Sequence, residues 1–228
     1  MIKAVAVEKA FGRRGVLCGL NLEVLPGVVT LLVGANGAGK TTFLRIVTGL
    51  CVPDAGEVRV AGFDVVRQRL AALGALAFLP QAPRFHPRLT TLQVARYYGK
   101  LRGRHDADVR DELNRWGLSD HLTATTDQLS GGLRQRLAIA ILALGRAPVL
   151  VLDEPGLSLD PEWRLRLQGF LSSEAQRGAT VLVATHLLGE WEGKIDRCVL
   201  LADGRVGGAL PPDRLRASFS AAEHSWVS

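Results

Sequence analysis

Nine residues, GANGAGKTT from Gly34 to Thr42, follow the aliphatic run VTLLV and lead into the helix-like FLRIVTGL. They fit the spacing G-x-x-x-x-G-K-[ST] through Gly34, Gly39, Lys40 and Thr41, with Ala35, Asn36, Gly37, Ala38 and Thr42 completing the loop. A strand, a glycine loop and a helix in that order aim backbone N–H groups at phosphate oxygens, and the helix dipole adds positive potential. Lys40 would neutralise the β- and γ-phosphates of a nucleotide, and the Thr41 hydroxyl would ligate Mg2+.

A second stretch with chemical content is VLVLDEP, Val149 to Pro155. Adjacent carboxylates at the end of the most apolar run in the chain are costly unless a cation or a proton relieves them. Asp153 suits the Mg2+ of a phosphate ligand, and Glu154 suits a general base that polarises the attacking water. The plainer alternative has Glu154 capping the following turn. Gln81, in AFLPQAP, carries a neutral amide able to reach both Mg2+ and water, although taken alone it reads better as a surface glutamine. His186, after VLVAT, is placed to touch a γ-phosphate and position water, with a helix cap or a packed ring as the alternative. Phe11, in KAFGRRG, offers a platform for stacking adenine, or else a core ring. In LSGGLRQR, Leu129 to Arg136, Ser130 reads as a helix cap, and Gly131 and Gly132 let a ligand approach the first N–H groups closely.

The elements that must position these groups follow from the hydrophobic pattern. The runs VVTLLV (28–33), ALAFL (75–79), VLVL (149–152), TVLVA (180–184) and CVLL (198–201) predict strands buried on both faces, as in a mostly parallel sheet under helices. The fold class expected is α/β. Residues 1–30 and 56–65 instead alternate apolar with polar between Gly or Pro turns, which predicts a small antiparallel β subdomain. From about 82 to 128 the aliphatic runs stop. TLQVARYYGKLRG and DADVRDELNRWG predict helices there, capped by Thr90 and Asp106 and stopped by Gly103 and Gly117, so a helical insert interrupts the core. The segment after Pro211 has weak periodicity and is expected to be partly ordered.

Composition narrows the classes. The chain has 228 residues, 47% of them hydrophobic, enough for one or two packed domains. Its charge-free stretch LAIAILALG would span roughly 14 Å as helix against a bilayer core of about 30 Å. The first residues lack the apolar region of a secretory leader, so a cytoplasmic address is expected. Cys18, Cys51 and Cys198 are odd in number and widely spaced, which predicts neither a disulfide framework nor a zinc site. No single run concentrates the net charge of +6, so an arginine-favouring composition explains it better than nucleic-acid or acidic-membrane binding.

Together, GANGAGKTT, the glutamine of LPQ, LSGGLRQR, LDEP, LSLD (Leu157 to Asp160) and ATH resemble the motifs of the ATP-binding cassette ATPases, in that family's order and approximate spacing. The resemblance extends to about Gly208 and implies a P-loop NTPase fold. Its ATP-binding domain would span 1–208, with a RecA-like core, an antiparallel β subdomain and a helical subdomain inserted at about 82–146, followed by a short tail over 209–228. It implies ATP and Mg2+ as cofactors, and two subunits that sandwich two ATP molecules. The roles implied are Phe11 for adenine stacking, Gly34 to Thr42 for the phosphates, and Thr41, Gln81 and Asp153 for the metal. Glu154 would be the catalytic base and His186 would contact the γ-phosphate. Ser130, Gly131 and Gly132 would meet the other subunit's γ-phosphate, and Asp160 would communicate across the dimer. Four positions depart from the family pattern: Leu133 stands for the usual glutamine, Gly156 for threonine, Ser158 for glycine, and Phe11 for the commoner tyrosine.

The resemblance also implies an ATPase subunit on the cytoplasmic face of a membrane. Its partner would be an integral-membrane permease encoded separately and docked in the groove beside the helical insert near Gln81. PRFHPRLTTLQVARYYGKLRG is similar to the equivalent part of cassettes that serve export-type permeases, and the roughly twenty residues after Gly208 are too few for the regulatory domain common in import systems. One alternative is a soluble cassette acting on nucleic acid or the ribosome. Such proteins usually carry two cassettes or a long coiled coil, and this sequence has neither pattern, so no nucleic-acid partner is expected. A degenerate, non-hydrolysing partner subunit is another, opposed by Lys40, Glu154 and His186.

Overall fold

A computed structural model describes residues 1–186, 191 and 195–210 of the chain. Near the N-terminus, β1 (Ile2–Phe11) and β2 (Arg14–Val24) form an antiparallel hairpin. β4 (Ala55–Val60) and β5 (Phe63–Asp64) extend it into a four-stranded sheet ordered β2-β1-β4-β5. This is the alternating β unit expected over 1–30 and 56–65.

The larger sheet has the order β10-β9-β3-β8-β7-β6. Its parallel members are β3 (Val29–Val33), β6 (Leu76–Leu79), β7 (Val149–Asp153), β8 (Thr180–Thr185) and β9 (Arg197–Ala202). Each falls on one of the aliphatic runs. β10 (Arg205–Leu210) is antiparallel to β9 and runs on past Gly208 to Leu210. Among the described residues six α-helices accompany the sheets: α1 (Lys40–Val47), α2 (Arg69–Gly74), α3 (Thr91–Leu101), α4 (Asp106–Arg115), α5 (Gly131–Gly145) and α6 (Pro161–Gln176).

Both faces of the parallel sheet are covered, and this is why its strands lack polar alternation. Leu31, Val33, Leu150, Leu152, Val181 and Val183 enter the core that also holds α5 and α6 residues. Their neighbours Leu32, Val149, Val151, Leu182 and Ala184 enter the core shared with α1 and the antiparallel sheet. Truncating one of these leucines to alanine is expected to cost about 2–5 kcal/mol. The glycine loop, Gln81, Glu154 and His186 follow the C-terminal ends of β3, β6, β7 and β8.

Thr90 caps α3 as expected, its hydroxyl accepting from the Gln93 N–H while the Gln93 side chain answers at the Thr90 N–H. The α4 cap differs from expectation. His105, not Asp106, stands at the N-cap, and Asp108 accepts from the His105 N–H at 3.0 Å. Asp106 is the first helical residue, and its carboxylate is drawn to Arg96 and Arg110 instead. Gly103 and Gly117 end their helices in the left-handed region, at φ +65° and +63°. The segment from 211 onward, expected to be partly ordered, lies outside the described residues.

Candidate functional site

The glycines between β3 and α1 are required by close approach. At Gly34 a side chain would run into the Leu201 carbonyl of β9. Gly39 has φ +107°, and a Cβ there would meet Leu17 at 2.9 Å and the Val16 carbonyl at 3.0 Å. The loop is therefore pressed under the β2 strand, and α1 starts at Gly39 with no side-chain cap and no acidic residue in its first turn. Its first N–H groups and its dipole are offered to an external anion.

A cavity of about 470 Å3 opens over this loop. Phe11, Lys40, Thr41, Gln81, Glu154 and His186, six of the residues singled out from the sequence, line it together. Lys40 is buried, and its Nζ donates to the Gly34 carbonyl at 2.6 Å and the Ala35 carbonyl at 3.2 Å. Burial lowers its pKa, while Glu154 and Asp153 oppose that shift. Phe11 is 54% exposed, which removes the core-ring alternative and leaves its face open to a flat ligand. The Lys9 ammonium lies 5.5 Å from the ring centroid and is itself paired with Asp54. Gln81 is exposed just past β6.

The two carboxylates have different surroundings. Asp153, the last residue of β7, is 2% exposed, and among the described residues its Oδ1 has no hydrogen-bond partner. Burial pushes its pKa up, Glu154 adds to the rise, and the Thr41 hydroxyl and Lys40 counter it. A buried, orphaned carboxylate oxygen beside a hydroxyl is a donor set that fits Mg2+, which takes one or two carboxylates and completes its shell with phosphate and water. Among the described residues there is no cluster of three or more His, Cys, Asp or Glu that could hold a metal.

Glu154 has φ +46°, a left-handed conformation costing a non-glycine residue about 1–2 kcal/mol. Its N–H donates to the Ala184 carbonyl at 2.8 Å, which turns the side chain over the end of β8. There Oε2 accepts from the Thr185 hydroxyl at 3.0 Å, and Oε1 lies 2.8 Å from His186 Nδ1. Glu154 is thus aimed into the cavity and is not the cap of the following turn. Sequence reasoning missed Thr185. Its place between the aliphatic run of β8 and His186 was the available signal.

The remaining candidates lie apart from this cavity. Ser130 caps α5 by accepting from the Leu133 N–H at 3.3 Å, and Asp160 caps α6 by accepting from the Trp163 N–H at 3.0 Å. Neither they nor Gly131 and Gly132 line the nucleotide-sized cavity. Leu133, at the position of the family's glutamine, packs its partly buried side chain on the main core. Gln135 ties α5 to the stretch after Glu154 by donating to the Pro155 carbonyl at 3.0 Å.

Comparison with known proteins places these motifs. Residues 17–156 match the family model described as ABC transporter. The chain is 35% identical over 216 residues to the Nod factor export ATP-binding protein I of Paraburkholderia xenovorans, covering 93% of this chain and 71% of that protein. It belongs to the ABC transporter family. Within that family it is an ATP-binding subunit and an ATPase. It is also 38% identical over 214 residues to the daunorubicin resistance ATP-binding protein DrrA3 of Streptomyces coeruleorubidus, covering 92% of this chain and 68% of that one. The dimeric structure of MJ0796, a bacterial ABC transporter cassette, superposes with a TM-score of 0.84 at 25% identity, over 93% of this ABC chain and 99% of the other.

Proposed function

We propose that this subunit hydrolyses ATP at the interface of two cassettes and thereby drives export through a separate integral-membrane permease, from the cytoplasmic face. The observation that carries this reading is the division of the site. Lys40, Glu154 and His186 share one cavity, whereas Ser130 and Asp160 begin helices that do not line it. A second cassette, associated as in the related dimer, would close the cavity with its own copy of the Ser130 helix end. The names of the related export and resistance proteins support the outward direction. Among the described residues no helix is long and apolar enough to cross a membrane, which fits a translocation path supplied by another polypeptide.

In this mechanism Phe11 stacks the adenine, and the N–H groups at the start of α1 take the β- and γ-phosphates. Lys40 exchanges the Gly34 and Ala35 carbonyls for phosphate oxygens. Mg2+, when bound through Thr41, Asp153 and Gln81, supplies neutralisation of phosphate charge. Glu154 accepts the proton of a water that adds to the γ-phosphorus as the bond to ADP breaks, releasing inorganic phosphate. Thr185 holds one carboxylate oxygen so that the other faces the water, and His186 moves from Glu154 to the γ-phosphate. The domain limits proposed remain 1–208 with the helical subdomain at about 82–146.

The permease would dock beside the helical insert in a groove of about 360 Å3 between the end of α1, α3 and α5, where Leu50, Tyr98 and Leu101 leave apolar surface exposed; Gln81, near which the docking groove was expected, lines the nucleotide cavity and not this groove. Affinity purification of the chain from gently solubilised membranes is the test. Recovery of a multi-spanning membrane protein in fixed ratio is expected, and its loss on Leu101→Asp would assign the groove. Recovery of the chain alone under every mild detergent condition would sink the permease reading.

A further inference from the structure

The hairpin that carries Phe11 also carries an arginine to the nucleotide cavity. β1 and β2 join through Gly12 and Arg13, and the last rung pairs Phe11 with Arg14. Gly12 has φ +61° and Arg13 is not in the left-handed region, the pattern of a two-residue type II′ turn. Directly opposed residues in an antiparallel pair point to the same side, with Cβ atoms roughly 5 Å apart. The turn therefore fixes Arg14 beside the Phe11 ring, and both line the cavity. The Arg14 Nη2 lies 3.8 Å from where a side chain on Gly37 would begin, so its side chain reaches from the hairpin to the glycine loop. Among the described residues that guanidinium forms no hydrogen bond or ion pair. Lys9, the other cation near the ring, is already paired with Asp54.

The geometry points to Arg14 as a nucleotide-binding residue that grips the α- and β-phosphates where they pass from the Phe11 platform to the loop. This rests on the ATP site proposed above. A base stacked on Phe11, with its last phosphate at Lys40, must lay the start of its phosphate chain past Arg14. A planar guanidinium with free donors suits two phosphate oxygens at once. Lys40, already bonded to two carbonyls and next to Glu154, serves the other end of the chain. Arg14 would then hold ADP about as strongly as ATP, which makes it a determinant of product retention and not of γ-phosphate sensing.

Titration of the full chain with fluorescent ATP and ADP analogues tests this. Arg14→Ala is expected to raise both Kd values by roughly five- to tenfold, with Arg14→Lys recovering part of the loss. Arg13→Ala, at the same exposed turn but outside the cavity, is expected to change them less than twofold. Unchanged affinity in Arg14→Ala, or equal weakening by Arg13→Ala, would overturn the proposal. Selective loss of ATP with ADP unaffected would also overturn it, by moving Arg14 to the γ-phosphate. Failure of the wild-type chain to bind either nucleotide would instead overturn the site on which the proposal rests.

Discussion

α1 and α6 begin in opposite ways. Every α-helix starts with about four N–H groups that its own backbone cannot satisfy. α6 meets that need internally, with the Asp160 carboxylate on the Trp163 N–H and Glu162 in the first turn. α1 has Gly39 at the cap position, no side-chain acceptor and no acidic residue, so its need can be met from outside. α5 stands between them. Ser130 is a neutral cap, its first turn has no acidic residue, and Gly131 is exposed. Two negative charges make the start of α6 repel an anion that the start of α1 would attract, on the same helical backbone. At α1 the chain withholds its own carboxylates, which leaves that helix end open to an anion.

The largest effect is expected in the chemistry beside α1. Glu154→Gln is expected to lower ATP turnover by roughly 10²- to 10⁴-fold while ATP still binds and a dimer accumulates on size-exclusion chromatography. Wild-type hydrolysis in that variant would remove Glu154 from the base role. A smaller effect is expected at α5. Ser130→Ala should reduce steady-state turnover by roughly ten- to a hundredfold, with binding of ATP to the dilute single subunit changed less than twofold. If binding to the isolated subunit fell in parallel, the α5 end would be acting within its own chain and the division of the site would fail.

Asp153→Asn sharpens the electrostatic side. Burial raises the Asp153 pKa above its unfolded value, so the stability it contributes is complete below the unfolded pKa and is lost as pH rises through the folded one. Near neutral pH, without metal, the ionised group is a net cost. The asparagine variant should melt roughly 2–6 °C higher than wild type at pH 7.5 in EDTA, with the gap closing toward pH 4. A lower melting point at pH 7.5 would show that Thr41 and Lys40 already compensate the charge. Leu133→Gln has the smallest predicted effect. Because Leu133 packs on the core, the change should lower the melting temperature by about 2–4 °C and alter ATPase activity less than twofold. A several-fold gain in activity would mean that the glutamine side chain, and not the α5 backbone, limits this interface.

Much of the architecture was legible because its signals are local. Unbroken aliphatic runs placed every parallel strand, since strands covered on both faces admit no polar alternation. β10 was missed although Asp203 and Gly204, with φ +48° and +70°, make the tight turn that the pair Asp-Gly favours. The α4 start was misplaced by one residue because a carboxylate in the first turn and one at the cap look alike in sequence, and Arg96 and Arg110 decide between them. Thr185 and Arg14 were overlooked for a different reason. Neither was singled out for a role of its own: Thr185 is the middle residue of ATH and Arg14 lies outside the motifs, and each gains its meaning from a neighbour distant in the chain or opposite on a hairpin.

The glycine loop, the paired carboxylates and the buried strands were readable in one dimension, since each depends on residue types at fixed short spacing. Which groups share a cavity depends on how the strands are arranged in the sheet. Lys40 and His186 are far apart in the chain yet share one cavity with Glu154, while Ser130 and Asp160, both nearer to Glu154 in sequence than either, open elsewhere. Parallel strands place their C-terminal ends side by side whatever the length of chain between them, and that alignment is invisible to spacing along one dimension.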